Sequence, residues 1–291
     1  MSEVQLRAEG LRQAGLARVR EHRLDEAIVF YDQALVVCTD EEARELITIN
    51  KADALITLEQ NGPEVAELAR VIMRRRNPRH VCLAAYALQY KHRIEQDFKR
   101  ALFYGHLALR AAEELNELEY KRAVLVDLGN VYEMESEVEK AIECFEAALS
   151  LISATDETHK RSRGYTLENL GYCRLLNGQT DDGIELIQSA IPYLDDETGL
   201  AEAYVDLCFG FLEKQELERA QFFGEAGLRL ATEERQVRNA HYLLGEVACK
   251  TGDTVTADFH FGELARFYPA FKNLKSLLFA IDLRGMVNFK L

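Results

Sequence analysis

The amino-acid sequence predicts an all-α protein built as an array of antiparallel helix pairs. The chain of 291 residues contains 4 Pro and 17 Gly, which favours long helices joined by short turns. Small residues recur at separations of 35 to 42 residues along nearly the whole chain. Apolar residues make up 48% of the composition, which is enough for a core that continues from one helix pair to the next.

The clearest repeating unit is the segment LGNVYEMESEVEKAIECFEAALSL, residues 128–151. Gly129 lies in the first predicted helix and Ala141 follows twelve residues later, and Phe145 and Ala148 complete the pattern. Small residues let two antiparallel helices approach closely, and the aromatic ring fills the space beside them. The unit is therefore a helix, a short turn and a second helix.

The same four positions recur in order along the chain. They are Gly15, Ala27, Tyr31, Ala34; Ala54, Ala66, Arg70, Met73; Gln89, Ala101, Gly105, Ala108; Gly129, Ala141, Phe145, Ala148; Gly171, Gly183, Ile187, Ala190; Cys208, Ala220, Gly224, Gly227; and Gly245, Ala257, Phe261, Leu264. The first positions are separated by 39, 35, 40, 42, 37 and 37 residues. The second and third units keep the pattern least well.

This pattern resembles the tetratricopeptide repeat family, whose repeat is about 34 residues long. The resemblance covers seven divergent units over residues 2–269 and implies a right-handed superhelical α-solenoid. We expect a single repeat domain over residues 1–291, in which residues 270–291 form a C-terminal capping helix and tail. In the family, the first helix of each pair lines the concave face of the superhelix.

Motifs that carry catalytic chemistry are absent from the sequence. It has no phosphate-binding glycine loop, no HExxH and no GxSxG motif, and its six cysteines form no CxxC pair. The seven histidines are isolated along the chain. We therefore predict that the protein is not an enzyme and has no cofactor and no metal site.

The resemblance implies that a partner binds on the concave face. The first helices direct aromatic, amide and acidic side chains there, and the aromatic groups can bury a large area of a partner. The predicted binding residues are Tyr86, Tyr90, Asn130, Glu133, Tyr165, Glu168, Asn169, Tyr172, Glu202, Asp206, Phe209, Asn239 and Tyr242. The alternative is that the aromatic residues pack between adjacent repeats.

The family's chaperone-binding members hold a C-terminal carboxylate with lysine, asparagine and arginine from consecutive repeats. Asn130 and Asn169 match two of those positions, but Val126, Glu202 and Asp206 stand where cations are needed. These departures exclude carboxylate capture at this site. A neutral or basic peptide is the expected partner in the groove.

Charge is distributed unevenly. The formal charge is −14, which disfavours nucleic-acid binding, yet Arg70 to Arg110 contains ten Lys or Arg and two acids. The segment is thus +8 and the remainder −22. We define the basic patch as Arg74, Arg75, Arg76, Arg79, Lys91 and Arg93. It is either a solvated surface or a site for an acidic partner protein, a nucleic acid or a second copy of this chain.

These observations predict a non-enzymatic scaffold that binds a protein or peptide in the groove of the superhelix. The alternative is a regulatory sensor that resembles bacterial tetratricopeptide regulators, responds to a signalling peptide or small ligand, and acts through a partner protein. No apolar run approaches the roughly 18 residues that cross a membrane, and the N-terminus resembles no secretory segment. The expected location is the cytoplasm.

Overall fold

A computed structural model of the chain describes residues 3–152 and 157–267. These residues form helices joined by short turns and contain no strand, which confirms the predicted all-α class. Their fourteen α-helices are α1 (Glu3–Arg20), α2 (Leu24–Val37), α3 (Glu41–Thr57), α4 (Pro63–Arg74), α5 (Pro78–Ile94), α6 (Phe98–Leu115), α7 (Leu118–Met134), α8 (Val138–Ser150), α9 (Lys160–Leu176), α10 (Thr180–Ala190), α11 (Glu197–Glu213), α12 (Leu217–Leu230), α13 (Glu234–Thr251) and α14 (Thr254–Phe267). Two 3-10 segments cover Glu157–His159 and Ile191–Tyr193. Within the described ranges, no helix is both long and apolar enough to span a membrane.

Helix packing divides the chain into two compact units, which we name the N-terminal unit (Met1–Val131) and the C-terminal unit (Tyr132–Leu291). In the N-terminal unit α1 packs on α2, α3 on α4 and α5 on α6. In the C-terminal unit α9 packs on α10, α11 on α12 and α13 on α14. The predicted array of helix pairs is confirmed. The single domain over 1–291 stays a prediction, and the expected capping helix and tail of residues 270–291 lie outside the described residues.

Each first helix ends in the same kind of turn. The residues with positive φ that begin these turns are His22, Glu59, Gln96, Ser136, Gly178, Gln215 and Gly252. In every case the next N–H donates to the carbonyl five residues earlier, as Arg23 does to Arg18 at 2.9 Å and Asp253 to Ala248 at 2.9 Å. This is the Schellman motif, and most copies here use a residue other than glycine. Helix packing and these hydrogen bonds therefore hold the turns.

The repeated small residue makes room for a large side chain from the second helix. A Cβ atom built on Gly15 would lie 2.8 Å from Cδ1 of Tyr31, and one built on Gly245 would lie 2.7 Å from Cζ of Phe261. Tyr31 and Phe261 are fully buried. The predicted pairing of a small residue with an aromatic residue is confirmed in these two pairs.

In two other pairs the small and large positions are exchanged between the helices. Gln89 of α5 is fully buried, and a Cβ on Gly105 of α6 would lie 2.8 Å from its Nε2 atom. In the same way, a Cβ on Gly224 of α12 would lie 2.9 Å from Sγ of Cys208 of α11. This exchange preserves close packing, and it explains why the third unit departs from the sequence pattern.

Two histidines that are distant in sequence meet in the last helix pair. The Nδ1 atoms of His241 and His260 are 2.9 Å apart, and both side chains are buried. Burial, together with the neighbouring His241, lowers the pKa of His260 to about 4, although the charges of Glu225 and Glu263 oppose this shift. Burial also lowers the pKa of His241. The contact therefore favours neutral rings, of which one donates and the other accepts.

We expect Gly15→Ala to lower the free energy of unfolding by about 1–3 kcal/mol, because the new methyl group overlaps the ring of Tyr31. Gly10→Ala is the matched control, because it lies on the same helix with no atom within 4 Å of the new Cβ. It should raise the free energy of unfolding by about 0.5–1 kcal/mol. Urea unfolding followed by circular dichroism measures both, and equal effects would contradict this packing.

The pKa of His260 predicts a loss of stability in acid. Because this pKa is near 4 in the folded chain and about 6.5 when unfolded, the unfolded state binds more protons between these values. The stability therefore falls as the pH drops from about 6.5 to 4, by as much as about 3 kcal/mol from this group. Urea unfolding at pH 7 and 4.5 should show a smaller loss for His260→Gln than for the wild type. His22→Asn, at an exposed turn residue, should keep the wild-type loss.

Candidate functional site

In the C-terminal unit, the predicted binding residues of α9 and α11 form a cluster of carboxylates. Glu168 of α9 and Glu202 and Asp206 of α11 are buried, and one oxygen of each lies within 4.8 Å of the others. Glu202 and Asp206 are one helical turn apart on the same face of α11. The neighbouring first helix α9 brings Glu168 against them. Residues from adjacent repeats therefore create one strongly negative site.

Arg235 of α13 pairs with this cluster through two parallel hydrogen bonds. Its Nη1 and Nη2 atoms donate to Oε1 and Oε2 of Glu202, each at 2.7 Å. Gln236 donates to Oε2 of Glu202 at 3.1 Å and to the carbonyl of Thr198 at 2.8 Å. Burial alone would lower the pKa of Arg235, but the hydrogen bonds to Glu202 and the nearby acids raise it. The guanidinium is therefore firmly charged and fixed in orientation.

The three carboxylates are the one group of three or more His, Cys, Asp or Glu residues whose ligand atoms converge within the described ranges. Carboxylate oxygens are ligands that Mg²⁺ and Ca²⁺ prefer. Both oxygens of Glu202, however, already accept hydrogen bonds from Arg235. The arrangement suits a guanidinium or ammonium group better than a metal ion, and the sequence prediction of no metal stays a prediction.

Several predicted aromatic residues are buried within the core of the C-terminal unit. Tyr172 of α9 is fully buried, and its ring lies 6.4 Å from that of Phe209 of α11, which is 5% exposed. The ring of Tyr242 lies 6.5 Å from that of Phe261 and is also buried. These three aromatic rings therefore contribute to the hydrophobic core and present almost no apolar area to a partner. Their burial favours the alternative that the sequence left open, which is packing between and within repeats.

Tyr165 connects two neighbouring first helices. Its hydroxyl donates to Oδ2 of Asp196 at 2.7 Å, and Asp196 also accepts from the backbone N–H of Gly199 at 2.7 Å. Asp196 therefore caps α11 while it holds Tyr165 of α9. Burial and the hydrogen bond to Asp196 raise the pKa of Tyr165. Tyr165 therefore stabilises the packing of α9 against the start of α11, and its contact with a partner stays a prediction.

The remaining predicted residues of the C-terminal unit differ in their exposure. Asn169 is half-buried on α9, whereas Asn239 of α13 is 4% exposed and Glu133 of α7 is 3% exposed. Of the two predicted amides of this unit, Asn169 therefore has the more surface available to a partner.

In the N-terminal unit, the predicted residues gather around Asp127 of α7. Tyr86 donates a hydrogen bond to Asp127, and Asn130, one turn further on, also hydrogen-bonds to it. Arg93 places Nε 3.8 Å from Oδ1 of Asp127, and its guanidinium lies 5.0 Å from the ring centre of Tyr90. Burial and the charge of Asp127 raise the pKa of Tyr86 well above its usual range. These four predicted residues thus form a second polar group.

Acids pair with four of the six residues of the basic patch, some from the same helix and some from a neighbouring one. Arg74 pairs with Glu67 at 2.8 Å and Arg76 with Glu41 at 2.8 Å. The remaining contacts are Arg79 with the hydroxyl of Tyr120 at 3.2 Å, Lys91 with Glu95, and Arg93 with Asp127. Glu41 and Glu67 lie outside the basic segment in sequence but beside it in the fold. The count of +8 therefore overstates the positive charge that this surface presents.

Arg235 is the important residue of the site that the sequence analysis did not select. The sequence nevertheless contains a signal for Arg235. Arg235 lies one helical turn before Asn239 on α13, and Glu202 lies one helical turn before Asp206 on α11, so the two charged residues occupy equivalent positions of successive first helices. A search for opposite charges at equivalent positions of successive first helices finds this pair.

We expect Arg235→Met to lower the free energy of unfolding by about 2–4 kcal/mol, because it leaves Glu202 buried without its guanidinium. The double variant Glu202→Gln/Arg235→Met should lose less than the sum of the single losses, by about 1–3 kcal/mol. Lys214→Met removes an ion pair with Asp181 of 2.7 Å on the surface and should cost less than about 1 kcal/mol. Additive losses in urea unfolding would contradict the coupling.

No protein-family model and no curated protein matches the sequence. Among solved structures, the chain is similar to the apo form of the quorum sensor NprR from B. thuringiensis, with a TM-score of 0.75, 14% identity and coverage of 96% of this chain and 81% of that chain. NprR in complex with its cognate peptide NprX gives a TM-score of 0.69 and 14% identity, with 94% and 82% covered.

A third similar structure is a signal transduction ATPase with numerous domains from Pyrococcus horikoshii, which has a tetratricopeptide repeat sensor. The TM-score is 0.70 at 17% identity, and the match covers 94% of this chain and 44% of that one. Identities this low establish the fold alone. The successive helix pairs, their recurring turns and these likenesses agree, and the chain has the tetratricopeptide-repeat fold.

Proposed function

We propose that this protein is a non-enzymatic scaffold that binds a peptide or a protein segment on the face of its first helices. The observation that carries the proposal is the half-buried amide of Asn169 on α9, which lies next to the buried carboxylate cluster of Glu168, Glu202 and Asp206. Asn169 offers both a donor and an acceptor to the backbone of a peptide. The carboxylates beside it supply charge selectivity.

The charge of this face supports a basic or neutral partner segment. Three carboxylates lie close together where water is partly excluded, so their attraction for a cation is stronger than on an open surface. Arg235 already demonstrates how a guanidinium fits against Glu202. A Lys or Arg side chain of the partner is the complementary group for the neighbouring carboxylates.

The fold likeness supports a peptide as the partner and keeps a second function open. NprR is a quorum sensor, and one of the similar structures is its complex with its cognate peptide NprX. By analogy, the second candidate is a regulatory sensor that responds to a signalling peptide or small ligand and acts through another protein. Nucleic-acid binding is less well supported, because acids neutralise most of the basic patch.

A displayed library of twelve-residue peptides tests the proposal. Peptides selected on the wild-type chain should be enriched in Lys and Arg, since they meet the carboxylate cluster. The variant Glu168→Gln/Asp206→Asn keeps the side-chain shapes and removes two charges. It should weaken the selected peptides by about tenfold or more in fluorescence anisotropy, which corresponds to about 1.4 kcal/mol.

Glu139→Gln/Glu143→Gln is the matched control, because it removes two exposed carboxylates of α8 in the same unit. It should leave peptide affinity unchanged, and circular dichroism should report equal helicity for all three proteins. Selected peptides that bind the cluster variant as tightly as the wild type would refute the assignment of the site. Compaction of the peptide complex in small-angle scattering would favour the sensor over the scaffold.

A further inference from the structure

A surface cleft of about 450 Å³ lies in the N-terminal unit where α4 ends and α5 packs on α6. Its floor is apolar and consists of Val81 of α5 with Leu107 and Ala111 of α6. Val81 and Ala111 are buried and belong to a small hydrophobic cluster that continues below the floor. The cleft can therefore accept an aliphatic side chain without rearrangement of its floor.

Two arginines that line this cleft are not neutralised. Arg75 and Arg110 are exposed, and within the described ranges neither side chain has an ion pair or a hydrogen bond. Glu114 is the one acid among the lining residues and makes no ion pair with either arginine. Arg74 and Arg76, on either side of Arg75, are in contrast paired with Glu67 and Glu41. The cleft therefore presents two guanidinium groups that no acid of the described residues neutralises.

The backbone places Arg75 at the entrance of the cleft. Arg75 ends α4 with φ 49° and ψ 33°, and its N–H donates to the carbonyl of Val71 at 3.2 Å. Glycine is the common residue at a left-handed helix end. Arg75→Gly therefore removes the guanidinium and also removes the strain of a left-handed backbone conformation. A loss of binding in this variant would come from the missing guanidinium and not from a less stable fold.

The cleft is distinct from the candidate groove. At about 100° per residue, Pro78 and Val81 fall on a different side of α5 from Tyr86, Tyr90 and Arg93. We propose that this cleft is a second docking site, which binds an acidic segment of a partner protein that inserts an aliphatic side chain between Arg75 and Arg110. Carboxylates that flank the aliphatic residue pair with the two guanidinium groups, and the apolar floor receives the side chain.

The capped pentapeptide GELEG is a direct probe of this chemistry. In NMR titrations of the full chain at low salt, it should shift the backbone amides of Val81, Leu107 and Ala111. The peptides GKLKG and GEGEG should shift them at least about fivefold less at equal concentration, because each lacks one of the two complementary features. Raising the ionic strength to about 1 M should weaken GELEG, since the ion pairs lie at the surface.

Arg75→Gly/Arg110→Gln should raise the dissociation constant for GELEG by about fivefold or more while the thermal midpoint stays equal or rises. Arg20→Gln/Lys99→Gln removes two exposed cations of the same unit that line no part of the cleft, and it should bind GELEG as the wild type does. The proposal is overturned if both double variants bind alike or if the shifts lie elsewhere. It is also overturned if sedimentation shows a wild-type dimer that the cleft variant abolishes, because the occupant is then a second copy of this chain.

Discussion

The close approach of the two helices in each pair is the constraint on which the rest of the structure depends. One side chain must be absent for the facing one to fit, as Gly15 is small beside Tyr31 and Gly105 is small beside Gln89. Either helix can supply the small residue, because close packing restricts only the combined volume of the two facing side chains. The Schellman turns then follow, since they reverse the chain within the short distance that such close packing leaves.

Close pairing on one side of each first helix leaves the opposite side for other contacts. In the C-terminal unit, Glu202 and Asp206 lie on that side of α11, where they meet Glu168 of α9 and the arginine that partly neutralises the cluster, Arg235 of α13. Buried carboxylates are costly without such a partner. The ion pair between Arg235 and Glu202 therefore stabilises the packing of α13 on α11 and holds the buried carboxylates in a defined arrangement.

Charge in a repeat protein has to be assessed across repeats. Arg76 and Glu41, Asn77 and Glu42, and His80 and Glu45 are each 35 residues apart, and each pair is in contact. This separation equals that between Ala54 and Gln89, which occupy the first of the four repeat positions in the second and third units. The start of α5 therefore lies against the start of α3, which is the equivalent helix of the preceding repeat. Ion pairs therefore neutralise much of the basic segment, and two of its arginines without an ion pair, Arg75 and Arg110, line one cleft.

The sequence by itself determined the all-α class, the helix pairs and the places where the chain turns, because close helix packing requires small residues at a regular spacing. It also indicated the acidic character of the face that carries Glu168, Glu202 and Asp206. Tertiary structure decided that Tyr172 packs inside the core, that Arg235 completes the acidic cluster and that His241 meets His260. The physical reason is that helical periodicity places a residue on a side of its own helix, whereas the neighbouring helix decides whether that side is covered.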